Sequence, residues 1–425
     1  MKASPSPPGG TGPVQAAVSS PESETGAQTF FSRPPGGTTM RDAYVVGVGA
    51  TPFGKLDTTL RESAVLAALE AIDQAGIDPG LLEGAFVANA LGMAERQGHL
   101  GPLVMTSLGI PEKPASTIEA ACASGASAFR EAYVNVAGGF ADAYLAVGVE
   151  KVSGIDSITA TGYFAYASDY VYEGSCGASF PGLYATIARA HMKRFGTTEE
   201  DLARVAVKNH ENALLNPKAH LKKKISVEDV LKSTVVSTPL KMFDACPFSD
   251  GAAAAIVTTK EIAQRLGGPM VRVAGVGRAG SLAALPDRSD LTSLTGTKVA
   301  AAQALKQAKL GVADVDFFEL HDCFTIAELV AMEDLGLAAP GKAAAMVRDG
   351  QTARHGDVPI NASGGLKAKG HPVAATGLGQ VYELYNQITG KVGGERQLRG
   401  VKTGLSHNVG ATGGSVAVTI LQGEN

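Results

Sequence analysis

Apolar residues fall along the chain in two matched series. AYVVGVG (43–49) is a continuous apolar run of strand length, and MVRVAGVG (270–277) repeats it in the second half. Each predicts a buried strand ending in a tight turn. Each is followed by a stretch of helical period, LRESAVLAALEAIDQAG (60–76) and LTGTKVAAAQALKQAKLG (294–311). Each helix leads into a second apolar run, LLEGAFVANA (81–90) and VDFFELHDCF (315–324). Strand, helix, strand therefore occurs twice in one order, the mark of an internal duplication.

The copies continue in step. STIEAACASGASAF (116–129) and NASGGLKAKGHPVAATG (361–377) each run into a helix, with apolar steps at Ala126, Phe129, Tyr133, Val136 and at Leu378, Val381, Tyr385, Ile388. Buried-strand runs close each copy: ADAYLAVGVE (141–150) and AAAAIVTT (252–259), then LRGVKTGLSH (398–407) and GSVAVTIL (414–421). The pattern predicts a duplicated α/β unit with mostly parallel strands between helix layers. The expected halves are 40–267 and 268–425, the first carrying an insertion over about 152–240. Residues 1–39 are dense in Pro, Gly and Ser, which predicts disorder. They hold few arginines and include Glu22 and Glu24, a poor fit to a mitochondrial transit peptide.

Composition narrows the function classes. The chain of 425 residues is 45% hydrophobic and 18% charged, with a net charge of −4. There is no basic run beyond His220–Lys224, so nucleic acid is not an expected partner. No apolar run approaches the ~20 residues that span a bilayer. The four cysteines are dispersed without a C-x-x-C pair, which predicts neither a zinc site nor a disulfide framework. Together with the lack of a secretory h-region near Met1, this gives a reducing cytoplasm as the expected compartment.

Two glycine-rich matches carry little. GATPFGK (49–55) has Leu56 where a phosphate loop needs a hydroxyl, and Pro52 suits a fixed turn. GVGRAG (275–280) is followed by SLAALPDRSD, which delays the helix that should receive a pyrophosphate, so a repeated strand-end turn explains it better. Cys122 is sharper. In CASG it precedes an alanine-rich helix whose dipole favours the thiolate, and its small neighbours leave room for an acyl group; a buried structural cysteine is the competing reading. His371, in GHP, is either a base or a core and capping histidine, and His407 in SHNVGATGG is similar. Cys176 and Cys246 read as packing; His99, His191, His210, His220 and His355 read as surface groups.

CASG, HDCF, NASGGLKAKGHP and HNVG, in this order and at these spacings, resemble the thiolase superfamily across residues 42–422. The resemblance is closest to the sterol-carrier-type and archaeal-type thiolases. RAHMKRFGTTEEDLARVAVKNHENALLNPKAH (189–220) is similar to the helical part of that family's inserted loop domain. The resemblance implies a duplicated five-layer α-β-α-β-α fold, acyl-CoA and CoA as substrates, no separate cofactor and no metal. It also implies a homodimer or homotetramer, and a small OB-fold, zinc-ribbon protein as a further partner.

Carried over residue by residue, Cys122 is the nucleophile and His371 the group that takes its proton and later helps hold an oxyanion. Asn408 stands where familiar relatives have a second catalytic cysteine. The resemblance therefore moves the acid/base role to Cys323 of HDCF, with His321 holding a water at the oxyanion hole. The N–H groups of Cys122 and Gly410 are the expected oxyanion donors. Ser249, His407 and Asn408 are weaker expected substrate contacts. Ala374, where relatives often have glycine, is expected to narrow the pocket. The implied reaction is reversible Claisen condensation of acetyl-CoA. The alternatives are acyl transfer to a non-CoA acceptor, retro-aldol cleavage of a steroid side-chain CoA ester, or a non-catalytic acyl-CoA or lipid-binding module.

Overall fold

The computed structural model describes residues 40–424; the expectation of disorder over 1–39 lies outside the described residues. Strands are β1 (Ala43–Ala50), β2 (Ala85–Ala88), β3 (Ala115–Ile118), β4 (Ala143–Glu150), β5 (Val235–Ser237), β6 (Leu240–Lys241), β7 (Gly251–Thr259), β8 (Val271–Ala279), β9 (Phe317–Glu319), β10 (Thr403–Gly410) and β11 (Ser415–Gly423). Nine of them form one sheet in the order β3-β2-β4-β7-β1-β8-β11-β10-β9. The duplication is visible in this order. β1, β7, β4 and β2 correspond to β8, β11, β10 and β9, and the partner of β3 is reduced to a parallel bridge between Phe318 and Ile360. The halves meet where Tyr44 and Val45 pair with Arg272 and Val271.

The ladders correct the expectation of mostly parallel strands. Only β2–β3, β2–β4 and β9–β10 are parallel; the remaining ladders of this sheet are antiparallel. A continuous apolar run reports burial on both faces, not direction. The helix Leu60–Ala75 packs on β1 and β7, and the helix Thr295–Ala308 covers β8 and β11. Between the two halves of the sheet, helices Ser124–Ala137 and Thr376–Ile388 pack against each other, giving five layers.

The repeated glycines have a different job from the one expected. Gly47 and Gly49 lie within β1, and a Cβ there would come within 2.3 Å and 2.1 Å of the Ala71 and Ala67 carbonyl oxygens. Gly275 and Gly277 lie within β8 and meet Ala304 and Ala300 of the other helix in the same way. They let each helix lie close on its strand rather than forming a turn. Between Glu150 and Gly251 the chain leaves the sheet for helices including Phe180–Phe195 and Glu199–Leu214; the corresponding β10–β11 connection is only 411–414. No helix among the described residues is long and apolar enough to cross a membrane.

Candidate active site

Cys122 sits in a single 3-10 turn, Ala121–Ala123, at the start of the helix Ser124–Ala137. The turn is held tightly. Ala121 is left-handed at φ 49°, a conformation that costs an alanine about 1 kcal/mol or more. The Ser124 hydroxyl accepts from the Ala120 N–H at 2.8 Å and donates to the Ala121 carbonyl at 2.6 Å, while Glu119 accepts from the Ala121 N–H at 2.6 Å. Gly410 allows β10 to approach, since a Cβ there would lie 2.4 Å from the Ala120 oxygen.

His371 follows a one-turn π-helix, Gly365–Lys369. Its Nδ1 lies 2.6 Å from the Thr376 hydroxyl, which itself donates to the Pro372 carbonyl at 2.9 Å. With that proton committed, Thr376 must accept from Nδ1–H, so Nε2 of His371 carries a free lone pair. His321, two residues beyond β9, has the opposite tautomer. The Asn408 amide donates to its Nδ1 at 3.1 Å, leaving a proton on Nε2. Both Nε2 atoms are buried without a hydrogen-bond partner. The Cys122 sulfur and one nitrogen of each ring lie within 4.8 Å of one another, and the rings meet edge to face at 5.3 Å. Burial keeps both rings neutral, pushing His371 down to about 3 and His321 well below the usual histidine range.

Cys122 corrects one expectation. Burial pushes its thiol up to about 12, while the Ala411 N–H pulls the other way and the Glu150 and Glu119 carboxylates add to the rise. Loss of solvent outweighs the helix N-terminus, so the resting group is a thiol. Cys323 is also buried and held well above the ordinary thiol range, first by burial, then by Cys246 and Cys122 nearby; the Tyr184 hydroxyl opposes this. Tyr184 also donates to the Ala411 carbonyl at 3.0 Å and stacks on Phe324 at 4.7 Å.

These groups open onto a cavity of about 520 Å³ lined mainly by apolar side chains. Cys122, Cys323, His371 and Ala411 form its polar end. The excursion between β4 and β7 supplies most of the wall, including Tyr163, Phe164, Phe180, Tyr184 and Phe248. Several expected contacts lie behind this wall instead. Ser249 is fully buried; its hydroxyl accepts from the His371 N–H at 3.2 Å and meets His220 Nδ1 at 2.9 Å, so it fixes a loop. His407 pairs with Thr297 at 3.0 Å and borders, with His321, a separate void of about 20 Å³. Asn408 serves His321. Ala374 does not narrow the cavity, because it packs against Ala88 and Ala128.

Other groups differ from the sequence expectation. Cys246 lines the cavity, and Cys176 is exposed rather than packed. His191 and His210 are buried, His191 between Thr197 and Glu333 and His210 against the Lys223 carbonyl. Three functional positions escaped sequence reasoning. Tyr184 is the polar ring on the buried face Leu183–Tyr184–Ile187; Thr376 lies five residues past His371; Glu150 is the lone acid ending an apolar run. Glu150 accepts from Asn89 Nδ2 at 2.9 Å and from the Ala90 and Leu91 N–H groups at 3.1 Å, and the Ala374 N–H also points at it. Asp322 of HDCF accepts from the Leu366 N–H at 2.6 Å and from Asn209 at 2.7 Å, pinning the His321–Cys323 loop to the loop that carries His371.

Residues 43–261 match the family model described as "Thiolase, N-terminal domain", and 277–423 match "Thiolase C-terminal domain-like". The acetyl-CoA acetyltransferase of Methanothermobacter thermautotrophicus is 43% identical over 90% of this chain and 99% of its own length. Sterol carrier protein 2 of Gallus gallus is 33% identical over 91% of this chain and 72% of its own length. The solved structure described as "Ltp2-ChsH2(DUF35) aldolase" superposes with a TM-score of 0.78 at 26% identity, covering 90% of this chain and 98% of that one. The duplicated sheet, the layer order and these matches agree: the chain belongs to the thiolase family.

Proposed function

We propose that this enzyme is an acetyl-CoA C-acetyltransferase, catalysing the reversible conversion of two acetyl-CoA to acetoacetyl-CoA and CoA. The observation that carries the reading is the convergence of the Cys122 sulfur and a free His371 lone pair at the end of a cavity sized for a CoA thioester arm, with a His321 ring nitrogen reaching the same point from behind the cavity wall. In the cleaving direction His371 Nε2 takes the Cys122 proton as sulfur attacks the ketone carbonyl. The Ala411 N–H, which points at this sulfur, and the Cys122 N–H are the candidate donors for the developing oxyanion, with Gly410 supplying the close approach. The carbon–carbon bond then breaks and the departing enolate oxygen accepts from His321 Nε2–H. Cys323 gives its proton to the enolate carbon, forming acetyl-CoA; its burial suits a group that starts protonated. Its thiolate next takes the proton of incoming CoA, whose sulfur attacks acetyl-Cys122. The imidazolium of His371 returns its proton to Cys122, and every proton is accounted for.

Because both ends of the acyl transfer are thioesters, the exchange runs in either direction without a flavin or nicotinamide. An assay of acetoacetyl-CoA cleavage by CoA tests the reading: turnover abolished in Cys122→Ser supports it, and no turnover in the parent overturns it. The aldolase description of the solved relative favours retro-aldol cleavage as the second reading. A nucleophilic cysteine backed by His371 has no place in that chemistry, which argues for acyl transfer. The same four groups argue against a purely binding role.

A cytoplasmic homodimer or homotetramer fits this reading. β3 forms one edge of the sheet, with Ser116 and Thr117 exposed, leaving a ladder edge open to a second copy. The name of the solved relative couples two components, which supports a search for a small OB-fold, zinc-ribbon partner. Light scattering of the purified chain checks the first point, and a pull-down recovering only homo-oligomer counts against the second.

A further inference from the structure

Cysteine spacing in the sequence gives no zinc motif, yet folding gathers a thiol and two imidazoles at one point. We propose that Cys122, His321 and His371 together form a binding site for a thiophilic divalent cation, Zn²⁺ or Cd²⁺, and that occupancy blocks acylation of Cys122. Zinc bonds of ~2.3 Å to sulfur and ~2.0 Å to nitrogen place tetrahedral donor atoms about 3.5 Å apart. The three donor atoms already lie within 4.8 Å, so a closure of roughly 1 Å completes the set. One feature points to a ligand there. Both Nε2 atoms are unpartnered although His321 is 1% and His371 6% exposed. The Asn408 Oδ1, beside His321, is likewise unpartnered.

That second orphan settles the tautomer question. His371 offers its Nε2 lone pair as it stands. For His321 to do so, its proton must move from Nε2 to Nδ1. A half-turn of the Asn408 amide brings Oδ1 to accept that proton, replacing the Nδ2 donor now 3.1 Å away. Binding then releases one proton, from the Cys122 thiol, to solvent. Cavity access leaves the fourth position open to water or to Cys323, which shares the cavity.

The test titrates chelator-stripped full-length protein with Co²⁺ under anaerobic conditions, then with Zn²⁺. Expected results are one equivalent bound, tetrahedral d–d bands with a thiolate charge-transfer band, and Cys122 shielded from iodoacetamide by Zn²⁺. Prior acetylation by acetyl-CoA should prevent binding, since a thioester sulfur is no ligand. Asn408→Ala should weaken binding by about 10–100-fold, as loss of a ligand's supporting partner does. Cys176→Ser, which removes the exposed thiol, should bind like the parent. An octahedral spectrum without charge transfer, unchanged binding in Cys122→Ser, or unshielded alkylation each overturns the proposal. Melting curves of the variants separate loss of the site from loss of fold.

Discussion

Replacing Thr376 by valine removes the acceptor that fixes the His371 tautomer. In the parent, Nδ1–H donates to Thr376 at 2.6 Å, and Nε2 is free to take the Cys122 proton. Without it, a buried N–H is left unsatisfied at a cost of about 1–3 kcal/mol. The ring can avoid that cost by moving the proton to Nε2, where it can no longer act as the base. At ~1.36 kcal/mol per factor of ten, Cys122 acylation should slow roughly 5- to 150-fold. Thr376→Ser keeps the hydroxyl and should stay near the parental rate. Quenched-flow mixing with acetyl-CoA, read by mass spectrometry of the Cys122 peptide, measures the step directly. Parental acylation in Thr376→Val, or an equal loss in Thr376→Ser, refutes the tautomer assignment.

Other consequences follow from the same geometry. Cys323→Ala should still acetylate Cys122, more slowly because CoA then leaves without a proton from Cys323, yet lose condensation, measured as acetoacetyl-CoA formed; unchanged condensation removes Cys323 from the proton path. Tyr184→Phe withdraws a hydroxyl whose one proton can turn from the Ala411 carbonyl to the Cys323 thiolate as that thiolate forms, and about 1 kcal/mol of lost hydrogen bond should slow condensation several-fold. Glu150→Gln sets an NH₂ group against converging N–H donors, at a cost of ~1–3 kcal/mol, and should lower melting temperature and kcat more than it raises KM; an unaltered melt and kcat contradict that positioning role. Burial raises the Cys122 thiol to about 12, so the thiolate fraction grows with pH across the whole neutral and alkaline range. Iodoacetamide alkylation of the substrate-free enzyme should therefore climb roughly tenfold per pH unit from 7 to 10. A plateau reached near pH 7 would show a preformed thiolate–imidazolium pair instead.

The order of strands and helices was legible because burial imposes period on sequence, and the duplication repeated each signal. The pairing of β1 with β8, and the sense of each ladder, were not, since both depend on where a strand lies after the chain has crossed the sheet. Cys122 was legible through its small neighbours and the helix it opens. Its acidity was not: the dipole is a local feature, whereas desolvation comes from Tyr184, Cys323 and the rest of the cavity, distant in sequence. His191 looked like a surface group on its own helix, yet it is buried against Glu333, 142 residues away. Ser249 was found in the right neighbourhood and given the wrong task, because a hydroxyl's choice between backbone and substrate is set only by folding.

Everything in the proposed mechanism passes through an acyl group on one sulfur. Mass spectrometry of the intact and digested protein after brief exposure to acetyl-CoA tests that most directly. The account predicts one acetyl group, located on Cys122, removed again by added CoA and absent from Cys122→Ser. A folded parent enzyme that gains no acetyl group, or gains it on Cys246 or Cys323, would contradict it.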